Sequence, residues 1–209
     1  MYKEAEAVVR TNLETAQRLH GPEHPNTLGT GMNLGVVLLN LGKSAEAAAI
    51  FRRLLATQKL ALGDTHRDTL STKVNLAGAL QAIGKTAEAE VLYRAVLDTL
   101  GPGAGDGIGE AASQYLMCEM NYASCLLGQA KYIEAEDVLI KNVARKQQLL
   151  GPDHPDTLMA VMNLVSRERR PSPDLPRALC PAREWHCLRI AWIKAPIGGG
   201  RRPHLADFS

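Results

Sequence analysis

Apolar residues recur at spacings of three and four along most of the first 165 positions, with polar residues between them. Ala89, Leu92, Tyr93 and Val96 show the pattern, which is the spacing of one buried face of an α-helix. Gly42 and Gly84 interrupt it where a helix would end in a left-handed residue. The pattern therefore predicts an all-α fold of helices joined by short turns.

A second kind of boundary carries histidine and proline. Gly21 to Leu28 reads Gly-Pro-Glu-His-Pro-Asn-Thr-Leu, and it returns in similar form at Gly63 to Leu70 and at Gly151 to Leu158. Proline suits the first turn of a helix, and Thr or Asp can cap its free N–H groups. We expect a helix, helix A, to begin at each copy. The A helices of the first three repeats are predicted to end at about Leu41, Ile83 and Gln129. A second helix, helix B, should begin at the Lys or Ser that follows each end.

These copies define a period of 42 residues. The step from the second copy to the last is 88, two periods plus four, so a copy is missing near Gly109 to Leu116, after the glycine-rich stretch Gly101 to Gly109. We place the four extra residues in that stretch, since insertions in loops cost little. Two further markers keep the register: Asn33-Leu34-Gly35, Asn75-Leu76-Ala77, Asn121-Tyr122-Ala123 and Asn163-Leu164-Val165, then Lys43 to Ala47, Lys85 to Ala89 and Lys131 to Ala135.

The register divides the chain into a repeat array, residues 1–165, and a tail, residues 166–209. The array comprises a half repeat (1–20), repeats 21–62, 63–108 and 109–150, and a partial repeat (151–165). Small residues recur on both helices of each unit: Gly35, Ala77 and Ala123 on helix A, and Ala47, Ala89 and Ala135 on helix B. We expect them to let the two backbones approach closely, so that a bulky substitute would overpack the pair.

The tail differs in composition. It carries a net charge of +5 against −3 for residues 1–165, and it holds six of the eleven prolines and both tryptophans. We predict that residues 171–209 are mostly disordered, with at most a short helix around Glu184 to Ile193. Because repeat arrays do not end in exposed half-units, we hypothesise that the chain is a fragment of a longer protein, or that its tail comes from another reading frame or splice form.

Candidate chemistry is sparse. His24, His66 and His154 occur once per repeat, too far apart to share a metal, so we expect loop and capping roles. Cys118, Cys125, Cys180 and Cys187 include no Cys-x-x-Cys pair, and we expect buried free thiols. Gly101 to Gly109 lacks the Gly-Lys-Ser/Thr ending of a phosphate-binding loop. We predict no enzyme activity, no cofactor and no metal. The sequence has no apolar run long enough to span a membrane and no secretory pattern, so we expect a cytoplasmic protein.

The motifs Leu62 to Leu70, Asn75 to Ala77 and Gly84 to Glu90 resemble tetratricopeptide repeats, in particular the 42-residue variety of kinesin light chains and nephrocystin-type proteins. The resemblance covers residues 1–165. It implies a right-handed α-solenoid, a superhelix of antiparallel helix pairs whose concave groove, lined by the A helices, binds a protein or peptide. Kinesin heavy chain or cargo would be a partner by the same resemblance. Nucleic acid is not an expected partner, because residues 1–165 are mildly acidic.

The resemblance also suggests the groove residues. The slot before each Asn-Leu-Ala, where light chains commonly carry an Asn, holds methionine or valine here, which indicates an apolar groove. The implied groove residues are Met32, Asn33, Val36, Val74, Asn75, Met117, Met120, Asn121 and Ser124. Two alternatives stay open: the methionines pack against a neighbouring helix or a second chain, and the asparagines hydrogen-bond between helices. The array would then be a structural or regulatory segment, such as the sensor of a signalling NTPase or a self-associating scaffold.

Overall fold

The computed structural model describes residues 2–107 and 109–166, and within them every regular element is a helix. The predicted all-α class is confirmed. The expectations for the tail beyond Ser166, including the helix around Glu184 to Ile193, lie outside the described residues. The elements are α1 (Tyr2–His20), α2 (Pro25–Asn40), α3 (Ser44–Ala61), α4 (Arg67–Ala82), α5 (Thr86–Leu100), a 3-10 helix (Pro102–Asp106), α6 (Glu110–Gly128), α7 (Tyr132–Leu150) and α8 (Pro155–Ser166).

Helices α2, α4, α6 and α8 are the predicted A helices, and three of them begin with a histidine cap. The Nδ1 atoms of His24, His66 and His154 each accept a hydrogen bond at 3.2 Å from the backbone N–H two residues later. Each cap satisfies one of the N–H groups that a helix start leaves without an intrahelical partner. The predicted capping role of the three histidines is confirmed.

The helix ends follow the predicted chemistry too. Gly42 and Gly84 have φ values of 74° and 81°, in the left-handed region. In both turns the next backbone N–H, of Lys43 or Lys85, donates back to the carbonyl five residues earlier, at 2.9 and 2.8 Å. This is the glycine-containing helix stop that satisfies the last free carbonyls. Helix B then begins at Ser44 and Thr86.

The third connector departs from the others by more than a four-residue insertion. Helix α5 has 15 residues where α3 has 18, and α6 has 19 where α4 has 16. Between them Gly101, with φ 75°, ends α5, and a 3-10 helix (Pro102–Asp106) follows. The chain therefore turns about one helical turn earlier than in the preceding repeat and begins the next A helix earlier as well.

Two compact units divide the chain, Met1–Val138 and Leu139–Ser209. In the first, consecutive helices pack against each other from α1 through α6, and α4 also touches both α2 and α6. Its core contains the predicted small residues. Ala47, Ala77 and Ala89 have no exposed surface, and a Cβ atom on Gly35 would lie 2.3 Å from Phe51 Cε1. The close approach predicted for the helix pairs is confirmed.

In the second unit, the structure describes the C-terminal part of α7 and the whole of α8. Leu139, Val143, Ala160 and Leu164 are buried there. Thr157, fully buried on α8, donates a hydrogen bond from Oγ1 to the Lys146 carbonyl at 3.3 Å. The same threonine in the second repeat, Thr69, donates to the Gly63 carbonyl at 2.8 Å. Thr157 thus ties the start of α8 to α7, whereas Thr69 ties the start of α4 to the turn before it.

Candidate functional site

The A helices of the first unit share one face that the core does not cover, here called the open A face. Its residues recur in register on three helices and are exposed or half-buried: Gly29, Asn33, Val36 and Asn40 on α2, Ser71, Asn75, Gly78 and Ala82 on α4, and Met117, Asn121, Ser124 and Gly128 on α6. None of them is charged. The open A face is therefore a surface of amides, hydroxyls, small residues and two apolar side chains.

The structure distributes the predicted groove residues over three levels of exposure. Asn33, Val36, Met117 and Ser124 are exposed, with Met117 at 54%. The half-buried residues are Met32, Asn75, Met120 and Asn121. Val74 is different, because it is 5% exposed and belongs to the core. Its side chain supports α4 from inside and presents little surface to a ligand.

Neighbouring A helices touch across the open A face through polar contacts between residues 43 apart. Asn75 Nδ2 on α4 lies 3.3 Å from Met32 Sδ on α2 and donates to it. Gln81 Nε2 donates to Ser124 Oγ at 3.2 Å, and Gln114 Nε2 donates to Ser71 Oγ at 3.0 Å. Asn75 therefore makes an interhelical contact, as one of the sequence alternatives anticipated, and Met32 packs against the core beside it.

The sequence reasoning missed Gln81 and Gln114. Neither residue recurs at the matching positions of the other repeats, so the repeat pattern does not mark them. A different signal was present, because each glutamine stands one period plus one residue from a serine of the open A face. Long amide side chains at that offset can bridge the gap between adjacent helices.

Charged side chains are concentrated on the B helices instead. Arg10 pairs with Glu46 and Arg52 with Glu88, each at 2.7 Å and 36 residues apart, so the same contact joins successive B helices. Glu90, 6% exposed, accepts hydrogen bonds from Lys131 at 2.7 Å and from Gln129 at 2.8 Å. The Lys131 ammonium is the main cause that holds the pKa of Glu90 below its usual range. This carboxylate is ionised and structural at neutral pH.

The two cysteines in the described part of the chain offer no reactive thiol. Cys118 and Cys125 are buried free thiols, as predicted, and burial raises the pKa of Cys118 to about 12 and that of Cys125 above its usual value. A thiol needs a lowered pKa to act as a nucleophile. Among residues 2–107 and 109–166, no three His, Cys, Asp or Glu side chains come together as metal ligands. The distinctive surface of the first unit is the open A face.

Family comparison agrees with this architecture. Two family profiles, each described as a tetratricopeptide repeat, match residues 28–100 and 121–156, which together make up more than half of the 209 residues. The chain belongs to the tetratricopeptide repeat family. Tetratricopeptide repeats are a protein-interaction scaffold, and the family is generally non-catalytic. No curated protein matches the chain.

Solved tetratricopeptide structures resemble the chain in fold. A Podosopora anserina putative kinesin light chain with nearly identical TPR-like repeats is 24% identical with a TM-score of 0.68, over 80% of this chain and 78% of that one. A Q17M variant of the same protein is 22% identical with a TM-score of 0.73, over 92% of this chain and 86% of that one. BtubC (BKLC) from P. vanneervenii is 20% identical with a TM-score of 0.68, over 98% of this chain and 79% of that one. None of the described helices is long and apolar enough to cross a membrane.

Proposed function

We propose that this tetratricopeptide repeat chain is a non-catalytic adaptor whose open A face binds a peptide or protein partner. The observation that carries the proposal is the uncharged, register-matched row of surface residues on α2, α4 and α6. Surface positions of a soluble helix normally include charged residues, and here the charges are on the B helices. An uncharged surface costs less to desolvate when a partner covers it.

The composition of the face indicates the chemistry of the partner. Asn33 and Asn121 provide amide donors and acceptors that match the groups of a peptide backbone. Val36 and Met117 are the exposed apolar contacts, and the thioether of Met117 adapts to irregular apolar shapes. Gly29 and Gly78 leave room for a backbone to come close. A segment without acidic residues and with apolar anchors suits this surface, and the likeness to kinesin light chains makes kinesin heavy chain or cargo a candidate source.

A structural or regulatory role is the second candidate, favoured by one observation. Asn75 and Met32 already contact each other, so those two groups are engaged within the array rather than turned to a ligand. In this version the open A face would stiffen the array or pack against a second copy of the chain. The two candidates differ in what covers Val36 and Met117 in solution.

The test combines light scattering on the full chain with a peptide-array screen. Val36→Asp and Met117→Asp each place a charge on the open A face at an exposed residue, so the fold should survive. Val91→Asp is the matched control, because Val91 is 65% exposed on α5, a B helix. The adaptor proposal expects a monomer whose binding of apolar peptides weakens at least about tenfold with either variant, since a desolvated charge costs more than 1.4 kcal/mol.

The control should bind as the unmodified chain does. A dimer that falls apart with Val36→Asp or Met117→Asp would favour the self-associating scaffold. A monomer that binds no peptide, or that binds equally well with all three variants, would contradict the assignment of the open A face as the binding site.

A further inference from the structure

A cavity of about 270 Å³ lies within the first unit, between α1, α2 and α3 and away from the open A face. Five aliphatic side chains form its apolar lining: Leu13, Leu28, Leu34, Ile50 and Leu54. Arg10, Glu14 and Arg53 line it with charged groups. Pockets for drug-sized ligands measure roughly 300–1,000 Å³, so this one suits a smaller molecule.

The next repeat shows why the space is empty. Gly31 lines the cavity, and the residue 42 positions later is Lys73. Lys73 is 3% exposed, and its Nζ reaches the carbonyl oxygen of Asp64 at 3.1 Å and its Oδ2 at 2.9 Å. The counterpart of Asp64 is Pro22, which also lines the cavity. The first repeat therefore lacks both the side chain that fills this space in the second and the carboxylate that holds it.

The charged lining also distinguishes the first repeat from the second. One period later, Glu14 and Arg53 are replaced by Ala56 and Ala95. Within the part of the chain that the structure describes, the side chains of Glu14 and Arg53 form no ion pair or hydrogen bond with another residue. Arg10 is already paired with Glu6 and Glu46, at 2.9 and 2.7 Å. The uncompensated lining charges are thus one carboxylate and one guanidinium.

We propose that this cavity binds a free α-amino acid with an apolar side chain of the leucine or phenylalanine class. Its carboxylate would meet Arg53, whose guanidinium can bind both carboxylate oxygens, and its ammonium group would meet Glu14. Its side chain would occupy the space that the Lys73 stem fills in the next repeat. The site is separate from the open A face and does not depend on the proposed adaptor function.

Methyl NMR on the full chain tests the proposal, with L-leucine and L-phenylalanine as the probes at up to about 10 mM, above the millimolar affinity expected of so small a ligand. The expected result is a saturable shift of the Leu28, Ile50 and Leu54 methyl signals. Arg53→Ala and Glu14→Ala change exposed residues, and each should weaken binding at least about tenfold, because each removes the charged partner of one ligand group. Arg52→Ala is the matched control, since Arg52 pairs with Glu88 and does not line the cavity.

A filled-site variant provides an independent check. Gly31→Lys with Pro22→Asp and Leu54→Val copies the second repeat, where position 96 is valine. The smaller valine also relieves the contact of 2.8 Å that a Cβ atom on Gly31 would make with Leu54 Cδ2. This variant should bind no amino acid. If it does not fold, Arg53→Ala and Glu14→Ala still decide the question.

Three results would overturn the proposal. One is the absence of any methyl shift with either amino acid. Another is equal binding of leucine amide, which has no carboxylate, and of 4-methylpentanoate, which has no ammonium, because the site would then recognise only an apolar side chain. The last is unchanged binding by Arg53→Ala, Glu14→Ala or a folded filled-site variant.

Discussion

Ala130 stands where the first two repeats have a glycine, and its backbone shows the consequence. Its φ is 59°, beside 74° at Gly42 and 81° at Gly84. Lys131 N–H still donates to the Leu126 carbonyl at 3.0 Å, so the helix stop is made with a residue that disfavours this conformation. The turn geometry is set by the helix pairing around it, and Ala130 adopts the geometry at a cost.

Ala130→Gly should therefore stabilise the chain by about 0.5–1 kcal/mol. Glycine removes the strain of the left-handed backbone, and this gain exceeds the cost of its greater entropy in the unfolded state. Urea unfolding followed by circular dichroism measures the change. Ala56→Gly, an exposed site inside α3, is the matched control and should destabilise by about 1 kcal/mol. If Ala130→Gly destabilises the chain as much as the control does, the backbone at Ala130 is not strained.

At the scale of the element, the contact of α2 with α3 depends on the absence of a side chain. Gly35 faces Phe51, which has no exposed surface and so has little space to move. The same position holds Ala77 and Ala123 in the next repeats, both fully buried. Each repeat thus has a small residue at this position of its A helix, and in the first repeat it is glycine because the Phe51 ring occupies the space of a Cβ atom.

Gly35→Ala should destabilise the chain by about 1–3 kcal/mol through overpacking, although alanine is the better helix former. Gly29→Ala is the control in the same helix. A Cβ atom there meets nothing within 4 Å, so this change should stabilise by about 0.5–1 kcal/mol. Thermal and urea unfolding of both variants show whether each change raises or lowers the free energy of unfolding. A stabilising Gly35→Ala would show that α2 and α3 can separate without loss.

At the scale of the whole molecule, ionic contacts connect helices that are distant in sequence. Lys43 and Arg10 meet at Glu6, Arg52 reaches Glu88, and Lys131 reaches Glu90. In a repeat protein, stability is the sum of such contacts between neighbours and of the units themselves. Glu90 is the most buried carboxylate of these, at 8% side-chain exposure, so its contribution is screened least by solvent.

Glu90→Gln should lower the free energy of unfolding by about 1–3 kcal/mol at pH 7. The folded-state pKa of Glu90 lies below its unfolded value, so the ionised group stabilises the fold above the unfolded pKa. As the pH falls below about 4.5 that contribution is lost, and the two proteins should converge in stability. Urea unfolding across pH 3–7 measures the difference. Glu88→Gln is the control and should change stability less, because the ion pair of Glu88 with Arg52 is exposed. If the stability difference between Glu90→Gln and the unmodified chain does not vary with pH, the ionised Glu90 carboxylate is not its cause.

Local sequence signals were sufficient to predict where the helices begin and end. A cap or a left-handed glycine acts within about four residues, so His66 and Gly84 indicate the start and end of α4 without knowledge of anything distant. The small residues at Gly35, Ala77 and Ala89 were also readable, because the period of 42 residues repeats them in register. The repeat family follows from the same short motifs.

Tertiary structure alone decided which residues face the core, the surface or each other. Val74 occupies the same slot as Met32 and Met120, yet it is buried while they are half-buried. Asn75 contacts Met32 across 43 residues of sequence, and the space beside Gly31 is enclosed by side chains of α1, α2 and α3. Sequence by itself determined the order, type and pairing of the helices, since these follow from hydrogen bonds and apolar spacing within a repeat. The surface and the cavity required the structure, because both form where side chains from several helices meet.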